Sequence, residues 1–199
     1  MKQLTRNFRL ACALLFGAGT LGAQDVSVEP PDAHALLKEM AESYAAVTTY
    51  SDVGTAIYRN ADGSENLSVK FRLWLARPGS FRVDAESTKP GSKSARREVL
   101  WTDGRTIRRW ATHRPVSTLP RVQLVGSGMF GTYAYHVPTL LEVKYGAKRR
   151  LNDLTLPKLV GSEAINGVDC YEVSGQWEGD KYSIWIGKEE HRVRKMVAI

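Results

Sequence analysis

The chain has 199 residues, a formal net charge of +7 and two cysteines. Its first 23 residues read as an export leader with three positive charges and no acid, which leaves 7 − 3 = +4 on the remainder. That remainder has the length of one domain with a single core, carries no internal repeat, and keeps only Cys170, so an internal disulfide is excluded even in a compartment that permits one.

In the leader, Lys2, Arg6 and Arg9 form a positive start, residues 10–16 an apolar run and Leu21-Gly22-Ala23 a small-residue cleavage site. The apolar run is too short to span a bilayer, which argues against a membrane anchor. Cys12 lies inside that run, and Arg9 stands where a lipoprotein signal wants an aliphatic residue. A soluble exported protein is therefore expected, with residues 1–23 as signal peptide and 24–199 as one domain.

After an extended stretch, Asp32 is suited to cap a helix whose apolar positions are Ala33, Leu36, Leu37, Met40, Tyr44 and Val47. Thr48-Thr49-Tyr50 marks the change to strand. Val53, Thr55 and Ile57 then alternate with Gly54, Ala56 and Tyr58, and Asn60-Ala61-Asp62-Gly63 turns the strand back. In the next strand Phe71, Leu73 and Leu75 recur at period two, the mark of a half-buried strand. Pro78-Gly79 ends it. Phe81 and Val83 begin another, residues 88–95 form a polar loop, and Asp103-Gly104 is a hairpin signal between strands carrying Val99, Trp101 and Trp110.

Residues 113–135 hold prolines, glycines and scattered apolar residues without a period, a composition expected of a lid or binding loop. A short helix with Pro138 in its first turn and Gly146 as its stop follows. Asn166-Gly167 joins strands at 159–165 and 168–174, Tyr182, Ile184 and Ile186 mark the next, and residues 192–199 the last.

Catalytic signals are poor. His34, His113, His136 and His191 have no metal-binding spacing. Gly126, Gly128 and Gly131 match a dinucleotide fingerprint by letter, but no βαβ unit surrounds them. Ser127 lies in no nucleophile elbow. Cys170 reads as a small buried hydrophobe. The expectation is a protein that is not an enzyme, with no cofactor and no metal. The basic residues, Arg96, Arg97, Arg105, Arg108, Arg109 and residues 148–150, could make a nucleic-acid footprint, but export argues against that use. Anionic membrane lipid or an acidic partner is the other use open to them.

Arg77 shares a face with Leu73 and Leu75. From spacing alone it has two readings: a strand end that has reached water with its guanidinium outside, or a functional group on an apolar face.

The order Trp74, Arg77, Pro78, Phe81, then Asp103, Gly104 and Trp110, resembles the LolA family of periplasmic lipoprotein carriers over residues 32–111. The resemblance implies an α+β fold: a curved antiparallel sheet, an open half-barrel, with a helix and loop lid over a hydrophobic concave face. It implies that Leu73, Leu75, Arg77, Phe81, Val83, Val99 and Trp101 line the ligand site, and that Arg77 hydrogen-bonds the lid, as the arginine before this proline does in the family. The expected function is periplasmic binding or carriage of lipid or lipoprotein acyl chains, with an inner- or outer-membrane protein as a further partner. The rival is an envelope sensor or scaffold of the same fold.

Overall fold

Helix α1, Ala33–Ala45, begins where Asp32 accepts a hydrogen bond from the Ala35 amide at 2.9 Å, and it buries the stripe Leu36, Leu37, Met40 and Tyr44. The computed structural model describes residues 30–119, 136–137, 139–141, 150–177 and 179–198. Apart from Pro30 these belong to one unit, Pro31–Ile199.

Six strands follow α1 as an antiparallel meander in sequence order: β1 Thr49–Arg59, β2 Glu65–Ala76, β3 Ser80–Thr88, β4 Arg96–Asp103, β5 Ile107–Ala111 and β6 Arg114–Leu119. The turns fall at the expected residues. Asn60 and Gly63 close the first. Gly79 and Gly104 take φ of 83° and 90°, which glycine adopts at little cost. At the second of these hairpins the backbone amides of Thr106 and Arg105, with Arg108 beyond them, hold the Asp103 carboxyl down to about 2. The Phe71 ring lies over Gly54 on the adjoining strand so closely that any Cβ there would collide with it. Residues 113–119, expected to belong to a lid loop, are instead a turn and the edge strand β6. Residues 120–135 lie outside the described residues.

A second sheet holds four strands in the order β10-β9-β8-β7: β7 Thr155–Ile165, β8 Val168–Trp177, β9 Asp180–Gly187 and β10 Val193–Ala198. Asn166 and Gly167, both at positive φ, make the β7–β8 hairpin. The last strand is an edge strand. Between the sheets in sequence are helical residues at 136–137 and 139–141 and a 3-10 turn at Leu151–Asp153. The single open sheet expected is thus two sheets, because no ladder joins β6 to β7 among the described residues.

One core cluster draws on both sheets and the helices. Leu36, Met40 and Tyr44 of α1 meet Phe71, Leu73 and Leu75 of β2, Phe81 and Val83 of β3, Leu140 and Leu141, and Val173, Ile184 and Ile186 of the second sheet.

Candidate functional site

Register decides which side chains share a face, since residues opposite one another in an antiparallel ladder point the same way. Leu75 pairs with Phe81 and Leu73 with Val83, and Val83 in turn pairs with Leu100. These five side chains form one inner face, and each is at most 4% exposed. The expected Leu73, Leu75, Phe81 and Val83 are therefore together. Val99 and Trp101 are not with them. They pair with Asp84 and Arg82, on the opposite, outer face.

The reason for that error is Glu98. If Glu98 faced water, as an unpaired carboxylate would, Val99 and Trp101 would point inward. In the structure Glu98 is the inward residue, fully buried, opposite Ala111, and ion-paired with Arg109 on β5. A carboxylate can face the interior when a guanidinium is paired with it, and here it reverses the phase of β4.

Arg77 does not send its guanidinium out into water. It leaves the end of β2 on the inner side, and among the described residues its guanidinium donates to three backbone carbonyls. Nε reaches the Val47 oxygen at 2.6 Å, and one terminal nitrogen reaches those of Tyr44 at 3.3 Å and Leu141 at 2.5 Å. The acceptors are not in residues 113–119, described as a turn and β6. They belong to the helical residues 139–141 and to the C-terminal end of α1, with Val47 just beyond it. A cation there also satisfies carbonyls that a helix end leaves without intrahelical partners.

Both helical elements are tied to the second sheet as well. On α1, Ser43 Oγ donates to the His191 carbonyl at 2.9 Å, the Tyr44 hydroxyl accepts from the Val193 amide at 3.1 Å, and Glu39 lies 3.3 Å from His191. Tyr44 stacks edge-on against Tyr50, whose hydroxyl donates to Asp52 at 3.0 Å. Burial raises the pKa of both phenols, and for Tyr50 the neighbouring Tyr44 and Asp52 add to it. His136 is 1% exposed, with its ring edge-on to Trp177 at 4.8 Å and Tyr182 at 5.9 Å on β8 and β9. Burial lowers its pKa to about 4, so it is neutral at pH 7. These ties span the two sheets, with Arg77 at one end and the Tyr44 and His136 contacts at the other.

An open depression of about 440 Å³ sits beside this clamp, at the strand ends around the β2–β3 turn. Tyr50, Leu75 and Phe81 give it an apolar floor, and Thr49, Ser51, Ser80 and Thr102 contribute hydroxyls at its rim. Among the described residues no cluster of His, Cys, Asp and Glu could hold a metal, and no helix is long and apolar enough to cross a membrane. Sequence reasoning missed the acceptors of Arg77 and the Glu98–Arg109 pair. The pair had one available signal, a charged residue on each of two strands joined by the Asp103-Gly104 hairpin.

No protein-family model matches the chain. No curated protein matches it. Similar solved structures include LprF from Mycobacterium bovis, with a TM-score of 0.51 and 14% identity, covering 84% of this chain and 86% of that one. A DUF1329 family protein from Desulfovibrio piger has a TM-score of 0.38 at 14% identity, over 83% of this chain and 71% of its own. A LolA superfamily protein from Nitrosomonas europaea has a TM-score of 0.31 at 17% identity, over 85% and 72%. The chain shares its fold with LprF.

Proposed function

We propose that the protein is a non-enzymatic periplasmic binder or carrier of lipid or lipoprotein acyl chains, and that the structure represents its closed state. The observation that carries this reading is the Arg77 clamp over an apolar face. One side chain fastens α1 and the Leu141 backbone across Leu73, Leu75, Phe81, Val83 and Leu100. An acyl chain offers that face the same apolar contact the helices now supply, so ligand and lid compete for it. Charge-assisted bonds of this kind are worth roughly 1.5–3 kcal/mol each when shielded, enough to bias closure and little enough for ligand entry to reverse it. The resemblance of Trp74, Arg77, Pro78 and Phe81 to the LolA pattern supports the same reading.

Native mass spectrometry of the exported protein tests it. Release of a lipid or other hydrophobic molecule from the folded chain is expected, and a chain that flies bare from every preparation contradicts carriage. The second reading, an envelope sensor or scaffold, draws on the tightness of the core, where Leu73 of one sheet and Ile184 of the other are at most 1% exposed. A sensor should co-purify with a membrane-protein partner and hold no lipid.

A further inference from the structure

We propose that the outer face of the six-stranded sheet docks on an anionic phospholipid bilayer. The ladder places Trp74, Arg82, Trp101 and Arg108 side by side across β2, β3, β4 and β5. The adjoining row contributes Arg72 and Trp110. Three indoles thus stand on the face turned away from the core. Trp74 is 39% exposed, Trp101 and Trp110 are half-buried, and Arg72 and Arg82 are exposed between them.

A sheet face that only had to be soluble would have no use for indoles there. Indole favours the boundary of hydrocarbon and water, with its ring among the acyl chains and its N–H at the headgroups. Guanidinium matches phosphate oxygens with paired N–H donors. Interleaving the two residue types over neighbouring strands gives a surface that meets apolar and anionic groups at the same depth, as a headgroup layer presents them.

Charge balance favours the same partner. On these rows and the next, the cations Lys70, Arg72, Arg82, Arg97 and Arg108 outnumber the acids Asp84, Glu86 and Asp103. Arg97 and Arg82 share Asp84, Arg108 reaches Asp103, and among the described residues Arg72 and Lys70 form no ion pair. These two cations are therefore open to phosphate. The inference stands whether or not the interior holds a ligand.

The test is sedimentation of the exported protein with vesicles of phosphatidylcholine alone or with added phosphatidylglycerol. Binding is expected to require phosphatidylglycerol, to weaken as salt rises, and to fall roughly tenfold or more in the double variant Arg72→Gln/Arg82→Gln. Brominated lipid should quench tryptophan fluorescence, with part of that quenching lost in Trp74→Phe. The urea midpoints of both variants should match the parent, which shows that they fold. Equal binding to both vesicle types, absence of binding, or unchanged binding by the folded double variant would each overturn the proposal. So would retention by an acidic protein while vesicles are ignored.

Discussion

The two faces of the six-stranded sheet are built from the same strands and obey opposite chemistry. On the inner face Leu73, Leu75, Phe81, Val83 and Leu100 are dry and closed over by helices. One residue along each strand, Arg72, Trp74, Arg82, Asp84 and Trp101 stand on the other side, in water or at its edge. Period two lets a single run of sequence specify both, and a slip of one residue exchanges them. The buried carboxylate that the inner face admits, Glu98, is ion-paired with Arg109. The outer face pairs some of its charges, at Asp84 and Asp103, and leaves Arg72 exposed. Mutations one position apart should therefore differ in kind as well as in size.

Leu73→Ala should have the largest effect. Its side chain is 1% exposed in the core, and truncation should cost roughly 2–5 kcal/mol in urea unfolding. A much smaller loss would mean that the inner face borders an open cavity. Arg109→Met comes next, because it strands a buried carboxylate. A loss of about 3 kcal/mol is expected, and Glu98→Leu in the same chain should restore most of it.

His136 supplies a pH test of the helical seat. Its folded pKa of about 4 lies below the ordinary 6.5, so the folded state binds fewer protons than the unfolded one. The stability this burial contributes is complete above pH 6.5 and is lost as pH falls from 6.5 toward 4, a decline of roughly 3 kcal/mol at about 1.4 kcal/mol per pH unit. His136→Phe retains an aromatic ring against Trp177 and Tyr182. It should remove that part of the decline while the carboxylates titrate as before, and parallel curves for the two proteins would refute the assignment. Arg82→Gln, on the outer face, should change stability by no more than about 0.5 kcal/mol.

Most of the element order was legible because apolar periodicity and turn residues agree at almost every junction. Asp32, Gly63, Gly79, Gly104 and Gly167 mark boundaries that the structure keeps. Strand β6 was not legible, since Arg114–Leu119 pairs by backbone at a sheet edge and Val116 is 56% exposed, which leaves no buried face to pattern it. On β2 and β3, where charged and apolar residues alternate, Leu73, Leu75, Phe81 and Val83 share one face as the period-two reading has it. On β4 the run Val99-Leu100-Trp101 is apolar throughout and its charged neighbours conflict: Arg97 and Asp103 are exposed on the phase of Val99 and Trp101, while Glu98, on the phase of Leu100, is buried. The partners of Arg77 were hidden for another reason: a guanidinium that donates to carbonyls leaves no trace in the acceptors' side chains, and Tyr44, Val47 and Leu141 look like core residues.

The most direct test of the clamp is release of a fluorescent fatty-acyl probe from Arg77→Leu, with hydrogen exchange followed in α1 and residues 139–141. Leucine retains an apolar stem and removes every donor. Exchange at the end of α1 and at residues 139–141 should quicken in the empty protein. Release of the probe should slow by roughly tenfold or more, because closure no longer competes with the ligand for the inner face and the lost bonds are worth roughly 1.5–3 kcal/mol each. Unchanged release with unchanged exchange would show that the three hydrogen bonds of Arg77 hold nothing shut.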